Sequence, residues 1–140
     1  MELGLIYAAV HDLVARLAQL ADDGTIEEYL ELFAPDAVWE LAEPAPGVPP
    51  NRHSGRTEIA AGVVARRQAG VQGPGTSTRH VITTVSVTAD SPSTARSSAY
   101  WMFFTSSASE PKLATMGRYD DVFVLGEAGW QLAHRTIRVG

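Results

Sequence analysis

The sequence predicts an α+β fold in one domain spanning residues 1–140, because the spacing of its apolar residues changes once along the chain. In the first half, apolar residues recur at intervals of three and four, which is typical of amphipathic helices. From residue 78 onwards they alternate with polar residues, which indicates strands with one buried face. Helices followed by consecutive strands predict a bent antiparallel sheet wrapped around three helices.

The first half contains the three predicted helices. The first carries an apolar stripe that ends at Gly24, and its members are Ile6, Val10, Leu13, Val14, Leu17, Leu20 and Ala21. The second, IEEYLELF, follows a capping box formed by Thr25 and Glu28 and ends before Pro35. The third is RTEIAAGVVARRQAG, and the glycine-rich segment GVQGPG ends it.

Five strands complete the predicted fold. DAVWEL, residues 36–41, is the first, and the segment 42–55 that follows holds four prolines and is predicted to be a loop or lid without regular structure. The remaining strands are TRHVITTVSVTAD, TARSSAYWMFFTSS, KLATMGRYDDVFVL and GWQLAHRTIRV, which are separated by turn residues.

Composition excludes several classes of function. A net charge of −5 argues against binding to nucleic acid, which requires clustered basic residues. The N-terminal segment has no basic region of the kind that begins a secretory signal, and no apolar run suggests a membrane span, so we expect a cytoplasmic protein. The absence of cysteine excludes disulfides and thiolate chemistry.

Known catalytic motifs are also missing. The chain has no G-x-S-x-G sequence, no G-x-G-x-x-G sequence and no phosphate-binding loop. Its four histidines have no spacing that is typical of metal ligands. We therefore expect neither a metal nor an organic cofactor.

Four segments in order, LADDGTIEEYLELFAPDAVWEL, TRHVITTVSV, MGRYDDVFVL and GWQLAHRTI, resemble the SnoaL-like branch of the nuclear transport factor 2 (NTF2) superfamily. The superfamily includes polyketide cyclases, scytalone dehydratase, ketosteroid isomerase and small subunits of ring-hydroxylating dioxygenases. The resemblance implies a cone whose curved sheet and helices enclose an apolar pocket, and it implies a homodimer.

The resemblance also implies a catalytic pair. In dehydratase members an Asp at the end of helix one and a His at the start of the second strand act together, and these positions hold Asp22 and His80. The family arginine of the last strand corresponds to Arg135. The chain departs from the pattern where Leu17 replaces a family Tyr or Lys and where Thr84 replaces a family Asn. Tyr119 is the candidate replacement for the missing phenol.

These residue types suit acid–base chemistry. A neutral imidazole can accept a proton from C–H or O–H, and a carboxylate fixes its tautomer and stabilises the imidazolium. Arg135 is expected either to steady a developing oxygen charge or to form a cross-strand ion pair with Asp121. The residues expected to contact a hydrophobic substrate are Leu17, Trp39, Ile82, Thr84, Trp101 and Asp121.

Alternation along TRHVITTVSV predicts that His80, Ile82, Thr84 and Ser86 share one face of the strand. On a helical wheel, Asp22 falls away from the Leu13 and Leu17 stripe, so it reaches a cavity only if that other side of the helix is also packed or the helix unwinds at its end. Three functions stay open. The first is a cofactor-independent lyase, isomerase or cyclase acting on a cyclic or aromatic small molecule, the second a non-catalytic binding or assembly module, and the third a dioxygenase small subunit.

Overall fold

The computed structural model describes residues 2–42 and 51–140 of the protein. Three helices, α1 (Leu3–Asp23), α2 (Ile26–Leu30) and α3 (Gly55–Gln68), lie in the first half of the chain. Six strands form one sheet, and they are β1 (Phe33–Leu41), β2 (Asn51–Ser54), β3 (Arg79–Ser91), β4 (Thr94–Thr105), β5 (Lys112–Gly126) and β6 (Gly129–Val139). The predicted α+β fold is confirmed.

The strand order in the sheet is β2-β1-β6-β5-β4-β3. Strands β3 to β6 form the predicted antiparallel meander. Strand β1 instead pairs with β6 in parallel, since the two are separated by most of the chain and need no tight turn. The helices cover the inner face of this curved sheet, and the buried core lies between them.

Two predicted boundaries are wrong. The second helix ends at Leu30, and Phe33 already belongs to β1. Pro35 is tolerated in this strand because the pairing with β6 shifts register between Phe33 and Val38, where Pro needs to donate no ladder hydrogen bond.

The sequence predicted that the whole segment 42–55 lacks regular structure, and this prediction is wrong for its last part. Residues 51–54 form β2, which pairs antiparallel with β1 and carries an ion pair between Arg52 and Glu40 (2.8 Å). All four prolines lie before residue 51, so they do not interrupt this strand. The predicted loop or lid at 43–50 lies outside the described residues.

Helix α1 is the longest helix and packs its stripe of Ile6, Val10, Leu13, Val14 and Leu17 into the core. Within residues 2–42 and 51–140 it is also the only helix long and apolar enough to cross a membrane, with a mean hydropathy of 1.3 over its most apolar window. That indication is weak, because core helices meet the same criterion and the stripe of α1 is buried against the sheet.

Gly24, the residue that follows α1, lies against Leu20 in the last turn of the helix. A Cβ at Gly24 would lie 2.7 Å from the Leu20 side chain, so a larger residue would push the chain away from the helix end. Thr25 then begins α2 with the predicted capping box, in which its hydroxyl accepts from the Glu28 backbone N–H and the Glu28 carboxylate accepts from the Thr25 backbone N–H. The end of α1 is therefore fixed on both sides.

Candidate active site

A cavity of about 220 Å³ lies between α1, α3 and the inner face of the sheet. Most of its wall is apolar or aromatic, formed by Leu17, Ala18, Ala21, Tyr29, Trp39, Trp101, Phe103 and Ile137. A few polar side chains interrupt this wall, and they are His80, Arg66, Gln72, Thr115, Tyr119 and Arg135. An apolar cavity with a small number of polar groups is the usual form of a small-molecule site.

Asp22 and His80 meet at one side of this cavity. Oδ1 of Asp22 lies 2.7 Å from Nδ1 of His80, and Oδ2 accepts a hydrogen bond from the His80 backbone N–H at 3.0 Å. A carboxylate only accepts, so Nδ1 carries the proton and the neutral ring keeps its lone pair on Nε2. The contact therefore holds the imidazole in the tautomer that a general base requires.

Asp22 is buried, with 3% of its surface exposed, although it lies off the main apolar stripe of α1. The helix does not unwind, because it continues to Asp23. Instead, β3 packs along the side of α1 that carries Ala18, which is half-buried, and the start of β3 closes over the last turn. The other side of the helix is therefore packed only near its end, because Ala15, one turn before Ala18, is exposed.

Arg67 of α3 holds the C-terminal end of α1. Its guanidinium donates to the carbonyl oxygens of Gly24 (2.8 Å), Leu20 (3.2 Å) and Ala21 (3.3 Å). A cation at this end offsets the negative end of the helix dipole and gives the last carbonyls of α1 a donor. The carbonyls around Asp22 are thus fixed by a residue that does not line the cavity.

Arg135 forms the cross-strand ion pair with Asp121, and its role towards a ligand stays a prediction. It lines the cavity, and its Nε and Nη2 donate to the two carboxylate oxygens of Asp121, each at 2.9 Å. Its guanidinium also lies over the ring of Tyr119, with Cζ 3.7 Å from the ring centroid. Burial acts to lower the pKa of Arg135, but the Asp121 carboxylate outweighs it and the pKa is raised, so the charge persists at every working pH.

Tyr119 packs between this cation and an indole. Its ring is stacked with Trp101 at 5.9 Å between centroids. The indole lies over Gly117, where a Cβ would come within 2.7 Å of the Trp101 ring and would also strike the Arg138 carbonyl. Burial raises the pKa of Tyr119 to about 12. Its hydroxyl is therefore a hydrogen-bond donor, and not a base, near neutral pH.

This pKa predicts how stability depends on alkaline pH. In the unfolded chain a tyrosine ionises near pH 10, so below that value the contribution of Tyr119 is fully present, and it is lost as pH rises towards 12. We expect the free energy of unfolding to fall by about 2 kcal/mol more in the wild type than in Tyr119→Phe between about pH 9.5 and pH 11.5. Urea unfolding at the two pH values measures this difference. Equal losses in the two proteins would contradict the raised pKa.

Three of the residues expected to contact substrate line the cavity, namely Leu17, Trp39 and Trp101. Ile82 lines a neighbouring cavity between α1 and β3, of which His80 is also a wall. Asp121 does not line the main cavity, because its carboxylate is buried against Arg135.

The prediction that Thr84 shares a face with His80 is wrong. Thr84 is exposed and has a φ of +56°, and the pairing of β3 with β4 shifts register between Thr83 and Ser86. This bulge reverses the alternation, so Val85 and Val87, and not Thr84 and Ser86, pack towards the core.

Arg66 is a charged residue of the cavity wall that the sequence did not predict. It follows Ile59 and Val63 at spacings of seven and three, which places it on the buried face of α3. This spacing could have predicted a polar site at Arg66, because a charged residue on an apolar stripe needs a partner.

The SnoaL-like domain model matches residues 5–136. Comparison with curated protein sequences gives no significant match. An NTF2-like protein with a cystatin-like fold from Novosphingobium aromaticivorans superimposes with a TM-score of 0.74, at 23% identity over 93% of this chain and 79% of that chain.

Two further solved structures have the same fold. The β subunit of a proposed aromatic-ring-hydroxylating dioxygenase from N. aromaticivorans gives a TM-score of 0.76, at 23% identity over 99% of this chain and 92% of that one. A protein from Catenulispora acidiphila, solved in complex with S-DNPA, gives a TM-score of 0.76, at 25% identity over 97% of this chain and 94% of that one. These likenesses show that the protein has the NTF2-like fold, and the match over almost the whole chain shows that it belongs to the SnoaL-like family.

Proposed function

We propose that the protein is a cofactor-independent lyase, isomerase or cyclase that acts on a cyclic or aromatic small molecule, with His80 as its general base. The observation that carries this proposal is the 2.7 Å contact between Asp22 and Nδ1 of His80 at the wall of an apolar cavity. The contact leaves Nε2 as the nitrogen that can take a proton from a ligand. An apolar site that excludes water strengthens such a transfer.

The proposed reaction begins at an acidic C–H bond next to a carbonyl group. As that bond breaks, the proton passes to Nε2 and the electron pair enters an enolate, whose negative charge lies on oxygen. Asp22 stabilises the imidazolium that forms. The Tyr119 hydroxyl, protonated because burial raises its pKa to about 12, is available to donate to the enolate oxygen.

The fate of the enolate separates the three reaction types. Return of the proton from the imidazolium to another carbon is isomerisation. Donation of that proton to a neighbouring hydroxyl, which leaves as water while the enolate re-forms the carbonyl, is elimination. Attack of the enolate carbon on a carbonyl within the same molecule, whose oxygen takes the proton, is cyclisation. All three need the same first proton transfer, so a test of that step does not require the natural substrate.

The test is solvent exchange of the C–H protons of 2-tetralone, a two-ring ketone, in deuterium oxide. We expect the wild type to accelerate exchange above the buffer rate and His80→Gln to lose about 10²- to 10⁴-fold of that acceleration, which is the usual contribution of a positioned base. NMR measures the exchange. His134→Gln is the matched control, because His134 also lies on a strand but pairs with Glu40 (3.3 Å) and does not line the cavity.

Equal exchange by the wild type and His80→Gln would contradict the proposal. Binding of 2-tetralone without exchange, seen as a change in tryptophan fluorescence from Trp39 and Trp101, would favour the non-catalytic binding module instead.

The dioxygenase small subunit is a second candidate function, favoured by one observation. The N. aromaticivorans β subunit covers 99% of this chain, although its 23% identity is a likeness of fold alone. A small subunit of this kind has no need for a base, so it predicts no exchange by the wild type and stable purification with a larger iron-bearing chain.

A further inference from the structure

Arg66 is a cation of the cavity that has no anionic partner within residues 2–42 and 51–140. It is half-buried on α3, and its guanidinium carbon lies 4.8 Å from the centroid of the Trp39 ring. No carboxylate or carbonyl in this part of the chain accepts a hydrogen bond from it, and its Nε is buried without a partner. A cation–π contact stabilises such a charge but does not neutralise it.

The other arginines near the core all have oxygen partners. Arg135 is paired with Asp121, Arg67 donates to the last carbonyls of α1, and Arg56 donates to the carbonyl of Phe33. Burial lowers the pKa of Arg66, as expected for a desolvated cation that no carboxylate compensates. Asp121 and Asp22 cannot serve Arg66, since each is held by its own partner.

A second buried donor without a partner belongs to Trp101, which also lines the cavity. Nε1 of Trp101 is buried and has no acceptor, and only 6% of the residue is exposed. Buried donors in native structures are almost always satisfied by protein, water or ligand. Both of these atoms have almost no accessible surface, so the groups that a ligand in the cavity can reach are the terminal nitrogens of the Arg66 guanidinium, which have no hydrogen-bond partner within the described residues.

We propose that Arg66 recognises an acidic group of the ligand, and that this ligand is a carboxylic acid with one or two apolar rings. The rings would lie against Trp39 and Trp101, while the carboxylate pairs with the guanidinium of Arg66. The size follows from the cavity, whose volume of about 220 Å³ is below the usual range of roughly 300–1,000 Å³ for ligand sites. The inference rests on the proposed function only in taking this cavity as the substrate site.

A purely structural role for Arg66 makes a different prediction. If its guanidinium served only to pack on Trp39, the cavity would bind an acid and its neutral amide equally well. If Arg66 recognises an anion, the acid binds more tightly than the amide, and this difference in affinity disappears when the charge of Arg66 is removed.

The experiment compares 2-naphthoate with 2-naphthamide, which has the same shape without the charge, by calorimetry and tryptophan fluorescence. We expect the wild type to bind the acid at least about tenfold more tightly, as for a charge-assisted hydrogen bond. Arg66→Gln should lose this preference while keeping its affinity for the amide, and Arg66→Lys should keep part of it. Arg16→Gln, the matched loss of an exposed arginine on α1, should behave as the wild type.

Three results would overturn the proposal. They are equal binding of acid and amide by the wild type, a preference for the acid that survives in Arg66→Gln, and no binding of either compound. Circular dichroism and the thermal midpoint show whether each variant is folded. His80→Gln separates the two proposals, because it should lose proton exchange and still prefer the acid.

Discussion

We expect Asp22→Asn to lower the rate of proton transfer by about 10²- to 10⁴-fold, as much as His80→Gln does, because the same substitution in a serine-protease triad leaves the histidine in the wrong tautomer. The carboxylate accepts from both the backbone N–H and Nδ1 of His80. An asparagine has one carbonyl oxygen, and if that oxygen keeps the bond to the backbone N–H, its NH₂ group faces Nδ1. Nδ1 must then accept, the proton moves to Nε2, and the imidazole can no longer act as a base.

The exchange of 2-tetralone protons measures this loss, and Asp23→Asn provides the control. Asp23 is the next carboxylate on the same helix, but it is exposed and lies 3.8 Å from Arg79. Its removal should change the rate less than about twofold, because exposed pairs contribute little. If Asp22→Asn exchanged protons at the wild-type rate, Asp22 would be a structural residue that only joins α1 to β3.

The contact between Asp22 and His80 shows what the sequence could predict and what it could not. The positions of the two residues followed from the resemblance, but a helical wheel left the direction of Asp22 open. What decides it is β3 packing beside Ala18, and the pairing of segments distant in the chain has no local signal. The same limit explains why the parallel pairing of β1 with β6 was not predicted.

Local exceptions account for the other differences. The long alternating strands were predicted almost to the residue, but the bulge at Thr84 requires a positive φ in a residue that rarely adopts one, and alternation cannot reveal it. Strand β2 was obscured by the prolines before it. Arg66 was not predicted because the end of α3 is rich in polar residues, although its spacing from Ile59 indicates an inward position.

The largest effect on stability is expected at the buried ion pair. We expect Asp121→Ala to lower the free energy of unfolding by about 3–5 kcal/mol, the usual result of removing one partner of a buried pair. The side chains of Arg135 and Asp121 are 5% and 0% exposed, so no solvent replaces the lost carboxylate. Because arginine stays protonated at any working pH, Arg135 in this variant keeps a buried charge without a partner. Urea unfolding measures the difference.

Asp120→Ala is the matched control for this prediction. Asp120 is the adjacent residue on β5, but it faces the outer side of the sheet, is 37% exposed and contacts Arg118 and Arg138 at 3.1 and 2.9 Å. Its loss should cost about 1 kcal/mol or less. A loss at Asp121 no greater than this would contradict the assigned burial of the pair.

The double variant Asp121→Ala with Arg135→Met separates the charge from the lost packing. It should be more stable than Asp121→Ala alone, because removing the arginine removes the unpaired charge. If the losses of unfolding free energy in Asp121→Ala and Arg135→Met added up to the loss in the double variant, the pair would have no electrostatic coupling. Strong coupling would mean that Asp121 largely compensates the charge of Arg135, which leaves Arg66 as the cavity-wall arginine without an anionic partner among the described residues, able to pair with a negative charge on the ligand.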